Sequence, residues 1–153
     1  MFAVGGDSHS PTGGAFGAYM FGVGATEMLG VMVTGEIWLK VPHTIALDFD
    51  GRLAPGVAAK DMMLFLIGRF GLDGGQYQAV EYRGAAIRAL PMQERMTLCN
   101  MAAELGAQTG LISSDTVTQA FLKLKHLDVW ESDQDAPLLA HHQIGRASCR
   151  ERV

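Results

Sequence analysis

The sequence predicts an α/β fold on three observations. Short apolar or alternating runs that stop at glycine read as strands, as at residues 2–4 before Gly5-Gly6 and 44–50 before Gly51. Other stretches repeat apolar residues three and four apart, the period of a helix with one buried face, and Leu98, Met101, Ala102 and Leu105 are the clearest case. The two kinds alternate along the chain with no internal repeat, the order of strands joined by helical crossovers.

Taken in order, residues 2–4 are the end of a buried strand. Asp7-Ser8-His9-Ser10-Pro11 follows, with Ser8 or Ser10 as candidate helix cap and Pro11 suited to a first helical position. Residues 15–33 are Gly-rich and apolar and predict two helical pieces broken near Gly22-Val23-Gly24. Residues 44–51 predict a half-buried strand. Residues 58–70 predict a helix with Leu64, Ile67 and Phe70 on the Met63 side, ended by the loop 71–75. A strand at 78–82 and a short helix at 85–90, stopped by Pro91, come next. The helix 92–105 carries the stripe already named and ends at Gly106. Leu111-Ile112 suggests a short strand, and Ser114-Asp115 caps a helix running to Leu124. Residues 126–143 turn polar and irregular and read as a connecting segment.

Composition narrows the class. Nearly half the residues are hydrophobic (48%) and 18% are charged, which excludes a disordered chain. The 19 glycines are scattered among apolar residues, so they mark tight turns and close backbone approaches. A net charge of −4 argues against a nucleic-acid partner, and no apolar run approaches the ~18 residues of a membrane span. No basic region followed by an apolar core opens the chain, and two cysteines make no disulfide scaffold, so the cytoplasm is expected. Residues 144–153 depart from the rest in character and resemble the translation of a sequencing-adapter read. That tail is set aside from fold reasoning. Doing so removes three Arg and one Glu, leaving nine basic against fifteen acidic residues, a net charge of −6. Both ends are expected to be truncations.

Two clusters carry potential chemistry. Asp7-Ser8-His9 lies where a strand gives way to a helix, a frequent place for catalytic groups, and the helix amides there would face a carboxylate or oxyanion. His9 can exchange a proton near neutral pH and Asp7 can orient it. Capping alone explains the same three residues equally well. On the helix 92–105, Thr97, Asn100 and Glu104 share one face, and a half-buried Glu104 suits acid–base work. A solvated polar face is the alternative. Glu94, one segment earlier, is expected to have no role. Arg83, Arg88 and Arg95 could clamp a dicarboxylate or form surface ion pairs. Cys99 stands alone and reads as a small buried hydrophobe, with no metal site in this chain. The glycines of 13–17 and 22–24 fit neither phosphate-binding nor dinucleotide fingerprints.

Longer blocks go beyond these local signals. Residues 5–18 (GGDSHSPTGGAFGA), Phe21 to Glu27 (FGVGATE), 34–42 (TGEIWLKVP), 55–61 (PGVAAKD), 81–88 (EYRGAAIR) and 95–104 (RMTLCNMAAE) stand in an order that resembles the aconitase superfamily, specifically large subunits of the 3-isopropylmalate dehydratase and homoaconitase type. The resemblance covers residues 1–125. It implies part of the aconitase-type three-layer α/β domains, with 126–143 as connector and 144–153 as tail. It further implies that Asp7, Ser8 and His9 line the active site, that Glu104 is the acid–base carboxylate, and that Asn100 lies beside a four-iron four-sulfur (4Fe-4S) cluster without ligating it. Such enzymes dehydrate and rehydrate hydroxy di- or tricarboxylates with that cluster as Lewis acid. Nothing here matches the family's cluster cysteines, so the chain alone is expected to be inactive and to take up no cluster. A small swivelling-domain subunit is the implied partner. 3-Isopropylmalate dehydration in leucine biosynthesis is the leading activity. A homoaconitase, a methylmalate-type dehydratase and a non-catalytic binding module are the alternatives.

Overall fold

The structure, a computed structural model, describes residues 1–125 and the short strands at 142–143 and 147–148. Strand β1 (Phe2–Gly5) leads through a 3₁₀ helix (Ser10–Phe16) to β2 (Tyr19–Gly22) and helix α1 (Ala25–Thr34). Then come β3 (Thr44–Asp50), α2 (Ala59–Phe70), β4 (Ala79–Arg83), α3 (Ala85–Arg88), α4 (Met92–Asn100), β5 (Thr109–Leu111) and α5 (Thr116–Leu124), with β6 (His142–Gln143) and β7 (Ala147–Ser148) last.

Every described strand pair is parallel, as the α/β prediction requires. β1 and β2 form one small sheet, and β5-β4-β3 form the larger one, whose β3 edge also meets β6 and β7. Parallel neighbours need a crossover, and α2 supplies it between β3 and β4, α3 and α4 between β4 and β5. Apart from the two short strand pairings, the connector 126–143 and the tail 144–153 lie outside the described residues.

The core forms where the sheet meets α2 and α4. Ile45, Leu47 and Phe49 of β3 and Val80 and Tyr82 of β4 are buried with Leu98, Cys99, Ala102 and Leu105. The stripe foreseen on residues 98–105 is therefore the buried one, apart from Met101, which is only partly covered. The helix bearing it is shorter than expected. α4 stops at Asn100 and the chain continues in turns to Gly106, whose positive φ of 76° favours glycine.

Three other expectations are corrected. Residues 15–33 do not form two helices, because Tyr19–Gly22 leaves the 3₁₀ helix to pair with β1. In α2 the buried stripe is Ala59, Met62, Met63 and Leu66, while Leu64 is 51% exposed and Phe70 lies at the surface. Both sets have helical period, and only the position of the sheet decides between them. The first strand is not buried at its start, where Phe2 is half exposed.

Arg95 is no surface residue either. It is wholly buried, with Nη1 and Nη2 each donating to an Asp115 carboxylate oxygen at 2.8 Å and further bonds to the carbonyls of Leu90 (3.0 Å) and Arg88 (2.9 Å). Asp115 also caps α5 through the amides of Val117 and Thr118. Burial works to raise the Asp115 carboxyl, but Arg95 and those amides outweigh it and hold it below the usual range.

One close approach seats the 3₁₀ helix against the end of β5. The Ile112 amide donates to the Gly14 carbonyl at 3.0 Å, and a Cβ on Gly14 would run into the carbonyl oxygen of Gly110. That oxygen belongs to backbone already bonded in β5 and has little room to yield. Gly14→Ala is expected to destabilise the chain by about 2 kcal/mol or more, as overpacking typically does. Gly30→Ala, in α1 with open space around it, should be neutral or stabilise by up to ~1 kcal/mol. Thermal or urea unfolding of the two variants beside the parent measures both. Equal, small effects would mean that the 3₁₀ helix is not held against β5.

Candidate active site

After β1 the chain turns sharply, and Asp7 closes the turn. Its Oδ1 accepts from the His9 amide at 2.6 Å, and its carbonyl accepts from Ser10 N (3.2 Å) and Ser10 Oγ (2.7 Å). Neither Ser8 nor Ser10 caps a helix as expected; Asp7 organises this corner instead. The expected oxyanion site on helix amides is absent too. The helix is a 3₁₀ segment, its Ser10 and Thr12 amides are spent on the carbonyls of Asp7 and His9, and Pro11 has no N–H.

The turn aims the His9 ring across the molecule. His9 Nε2 lies 2.9 Å from Glu104 Oε1, a hydrogen bond between residues far apart in sequence. The other ring nitrogen, Nδ1, is 2.9 Å from Ser8 Oγ. Both partners of the pair face solvent in part, His9 at 42% and Glu104 at 40% side-chain exposure. Alongside, Asn100 Nδ2 donates to Thr12 Oγ1 at 2.9 Å, and Thr12 Oγ1 donates to the His9 carbonyl at 2.7 Å. Asp7, Ser8, His9, Asn100 and Glu104 thus fall into one hydrogen-bonded cluster. Thr97 stays outside it, its hydroxyl bonded back to the Gln93 carbonyl.

Charge follows geometry. The hydrogen bond that His9 makes to Glu104 raises the His9 pKa above its ordinary 6.5; desolvation opposes this, and the charges of Glu104 and Asp7 add to the rise. The imidazolium is therefore favoured in the folded chain, with Nε2–H donating to Glu104 and Nδ1–H to Ser8 Oγ. Because the folded pKa exceeds the unfolded one, this pair stabilises the fold fully below about pH 6.5, and the contribution fades as pH rises through the folded pKa.

Two neighbours escaped the sequence reading. Thr12 links the turn to Asn100, and only its i+3 spacing from His9 hinted at a bond back to that carbonyl. Glu94 has a role after all, since its Oε2 accepts from the Ala59 amide at the start of α2. Two of the three arginines are engaged: Arg83 makes a two-pronged pair with Asp48 (3.1 and 2.7 Å), and Arg95 is held by Asp115, while Arg88 is exposed at the surface.

Among the described residues no group of three or more His, Cys, Asp or Glu is arranged to hold a metal ion. Cys99 is fully buried, and burial pushes its thiol far up, so it is no thiolate ligand. The residues described do not fit a 4Fe-4S cluster as ligands. A broad groove of about 1220 Å³, lined among others by Phe21, Glu27, Trp38 and Tyr77, includes none of the five cluster residues. The His9–Glu104 pair sits outside it, partly exposed. No described helix is long and apolar enough to cross a membrane.

The chain is thus a parallel α/β unit that brings an Asp-Ser-His turn onto a distant glutamate. The chain belongs to the aconitase family (aconitate hydratase), which it matches over residues 1–142. It is 49% identical over 139 residues to the probable methanogen homoaconitase large subunit of Methanosarcina mazei, covering 89% of this chain and 36% of that one. It is 43% identical over 141 residues to the 3-isopropylmalate dehydratase large subunit of Aquifex aeolicus, covering 92% and 33%. With the Hydrogenobaculum sp. enzyme of the same name it shares 44% over 153 residues, covering 98% and 36%, so that alignment enters the 144–153 segment where the family match does not. The chain spans about a third of the length of these relatives.

The pairing of His9 with Glu104 is directly measurable. Titrating the ring protons of His9 by NMR should give a midpoint above 6.5, and Glu104→Gln should bring it down toward that value. A His9 midpoint that Glu104→Gln leaves untouched would break the pair.

Proposed function

We propose that this chain is the proton-handling part of an iron–sulfur hydro-lyase large subunit that interconverts a hydroxy di- or tricarboxylate and its alkene. 3-Isopropylmalate dehydration is the leading activity. The observation that carries it is the His9–Glu104 hydrogen bond, formed by two residues that the family resemblance assigns to the active site. Identity to several 3-isopropylmalate dehydratase large subunits supports the substrate class. The 49% identity to a homoaconitase large subunit favours, as second reading, a longer tricarboxylate.

The chain's own residues suggest the following division of labour. Dehydration breaks a carbon–oxygen bond and a neighbouring carbon–hydrogen bond: a base elsewhere in the complete enzyme takes the carbon-bound proton, and the departing hydroxide takes up a proton to leave as water. Glu104, at the solvent-facing edge of the cluster, is placed to give that proton and to recover it in hydration. The His9 imidazolium, bonded to Glu104 and steadied by Ser8, can return the proton to the carboxylate. Asp7 fixes the turn that aims His9. Asn100 holds Thr12 and with it the carbonyl side of His9.

With Arg83 and Arg95 engaged, only Arg88 of the three remains exposed for a substrate carboxylate, and the other grips on a di- or tricarboxylate would come from residues beyond this chain. That need supports a pocket completed by the rest of a large subunit and by a small subunit, as the relatives' names suggest. The family's 4Fe-4S cluster would likewise take its ligands from there. A cytoplasmic enzyme is supported by the free Cys99 thiol.

In the complete two-subunit enzyme, Glu104→Gln keeps size and hydrogen-bonding reach but cannot carry a proton. Turnover should fall by at least ~100-fold with KM little changed. Asp73→Asn, an exposed loop residue, is the control and should be silent. Steady-state kinetics of both variants decide the matter, and equal modest losses would show that Glu104 carries no proton in the reaction.

A further inference from the structure

Four buried side-chain oxygens have no hydrogen-bond partner among the described residues: Gln78 Oε1, Glu81 Oε2, Tyr82 OH and Glu104 Oε2. Buried polar atoms are nearly always paired, so each asks for an explanation. Two of them belong together. Tyr82, 1% exposed in the middle of β4, turns its ring into the core beneath α4. A Cβ placed on Gly110 would lie 3.0 Å from Tyr82 Cε2, 2.9 Å from Ala102 Cβ and 3.1 Å from Cys99 Cα. The ring is thus packed close to Cys99 and Ala102, the stretch that leads on to Glu104. Burial first, then the nearby Glu104 carboxylate, keep the Tyr82 hydroxyl protonated. One orphan is a donor and the other is a carboxylate acceptor. The other two orphans offer no such match: Gln78 Oε1 is a neutral amide acceptor, and Glu81 Oε2 is an acceptor with Arg83 at 4.0 Å.

We propose that Tyr82 is a positioning residue for Glu104, its hydroxyl reaching Oε2 through one bridging water while Oε1 holds His9. The two carboxylate oxygens then have separate duties, one anchored inside and one presented outside. A glutamate near the end of a turn would otherwise swing, and the outward oxygen would lose its aim at His9. The assignment rests on Glu104 as the proton carrier, and no part of the family resemblance supplies it.

Tyr82→Phe removes only the hydroxyl, from a site where it has no other partner, so the fold should hold or gain stability. In the full 153-residue chain the His9 titration midpoint should fall by roughly 0.3 to 1 unit on Tyr82→Phe, because a loosened Glu104 supports the imidazolium less. In the Glu104→Gln background the same change should do nothing further. In the complete enzyme Tyr82→Phe should lower kcat by about tenfold with KM nearly unchanged. A buried tyrosine with a purely structural role would alter unfolding and leave the His9 midpoint in place. An unchanged midpoint in Tyr82→Phe overturns this proposal, as does an equal fall in both backgrounds. Insensitivity of His9 to Glu104→Gln alone would instead overturn the His9–Glu104 pair, and Tyr82 with it.

Discussion

The site depends on one contact, the seating of the 3₁₀ helix 10–16 against the end of β5. The Gly14 carbonyl receives the Ile112 amide, and the absence of a side chain at Gly14 lets the backbone of Gly110 come close. A strand-to-helix turn by itself would leave Asp7, Ser8 and His9 at the rim of a two-stranded sheet. Once the short helix is docked, the same turn lies over the C-terminal end of α4 and the turns that follow it. Asn100 then meets Thr12, and Glu104 meets His9. Backbone contact comes first, and the side-chain cluster rides on it.

Electrostatics complete what packing begins. A histidine and a glutamate, each about two-fifths exposed, would gain little from attraction alone in water. Their value lies in geometry, because Ser8 fixes one ring nitrogen and leaves the other to the carboxylate. The deeper ion pair, Arg95 with Asp115, is structural by contrast. It satisfies two carbonyls near Pro91, caps α5 and keeps the Arg95 side chain wholly buried, so its charge is spent on the fold.

Much of this was legible in the sequence, for identifiable reasons. The parallel α/β order follows from glycine-ended strands and periodic helices, and the stripe on Leu98, Ala102 and Leu105 is buried as its spacing implied. Local pattern marked the Asp7-Ser8-His9 turn and the Asn100–Glu104 face as separate candidates, and only the family resemblance put them in one site, since three residues in a turn and a polar helix face carry no statement of distance. What escaped was decided by tertiary contact. The buried face of α2 is one of two with helical period, and the sheet selects Met62 over Leu64. Tyr19–Gly22 is apolar enough for either state, and pairing with β1 makes it a strand. Nothing local marks Arg95 as buried, because its partner lies twenty residues away. The ending of α4 at Asn100 was hidden because the turns to Gly106 keep most of the apolar stripe inside.

The central claim is that folding brings the Asp-Ser-His turn onto Glu104 within this chain. Nuclear Overhauser contacts between the ring protons of His9 and the side-chain protons of Glu104, with the exchange rate of the Ile112 amide recorded on the same sample, test it most directly. Clear His9–Glu104 contacts together with a strongly protected Ile112 amide are the predicted result. Absent contacts and an Ile112 amide exchanging as freely as in an unfolded chain would contradict it.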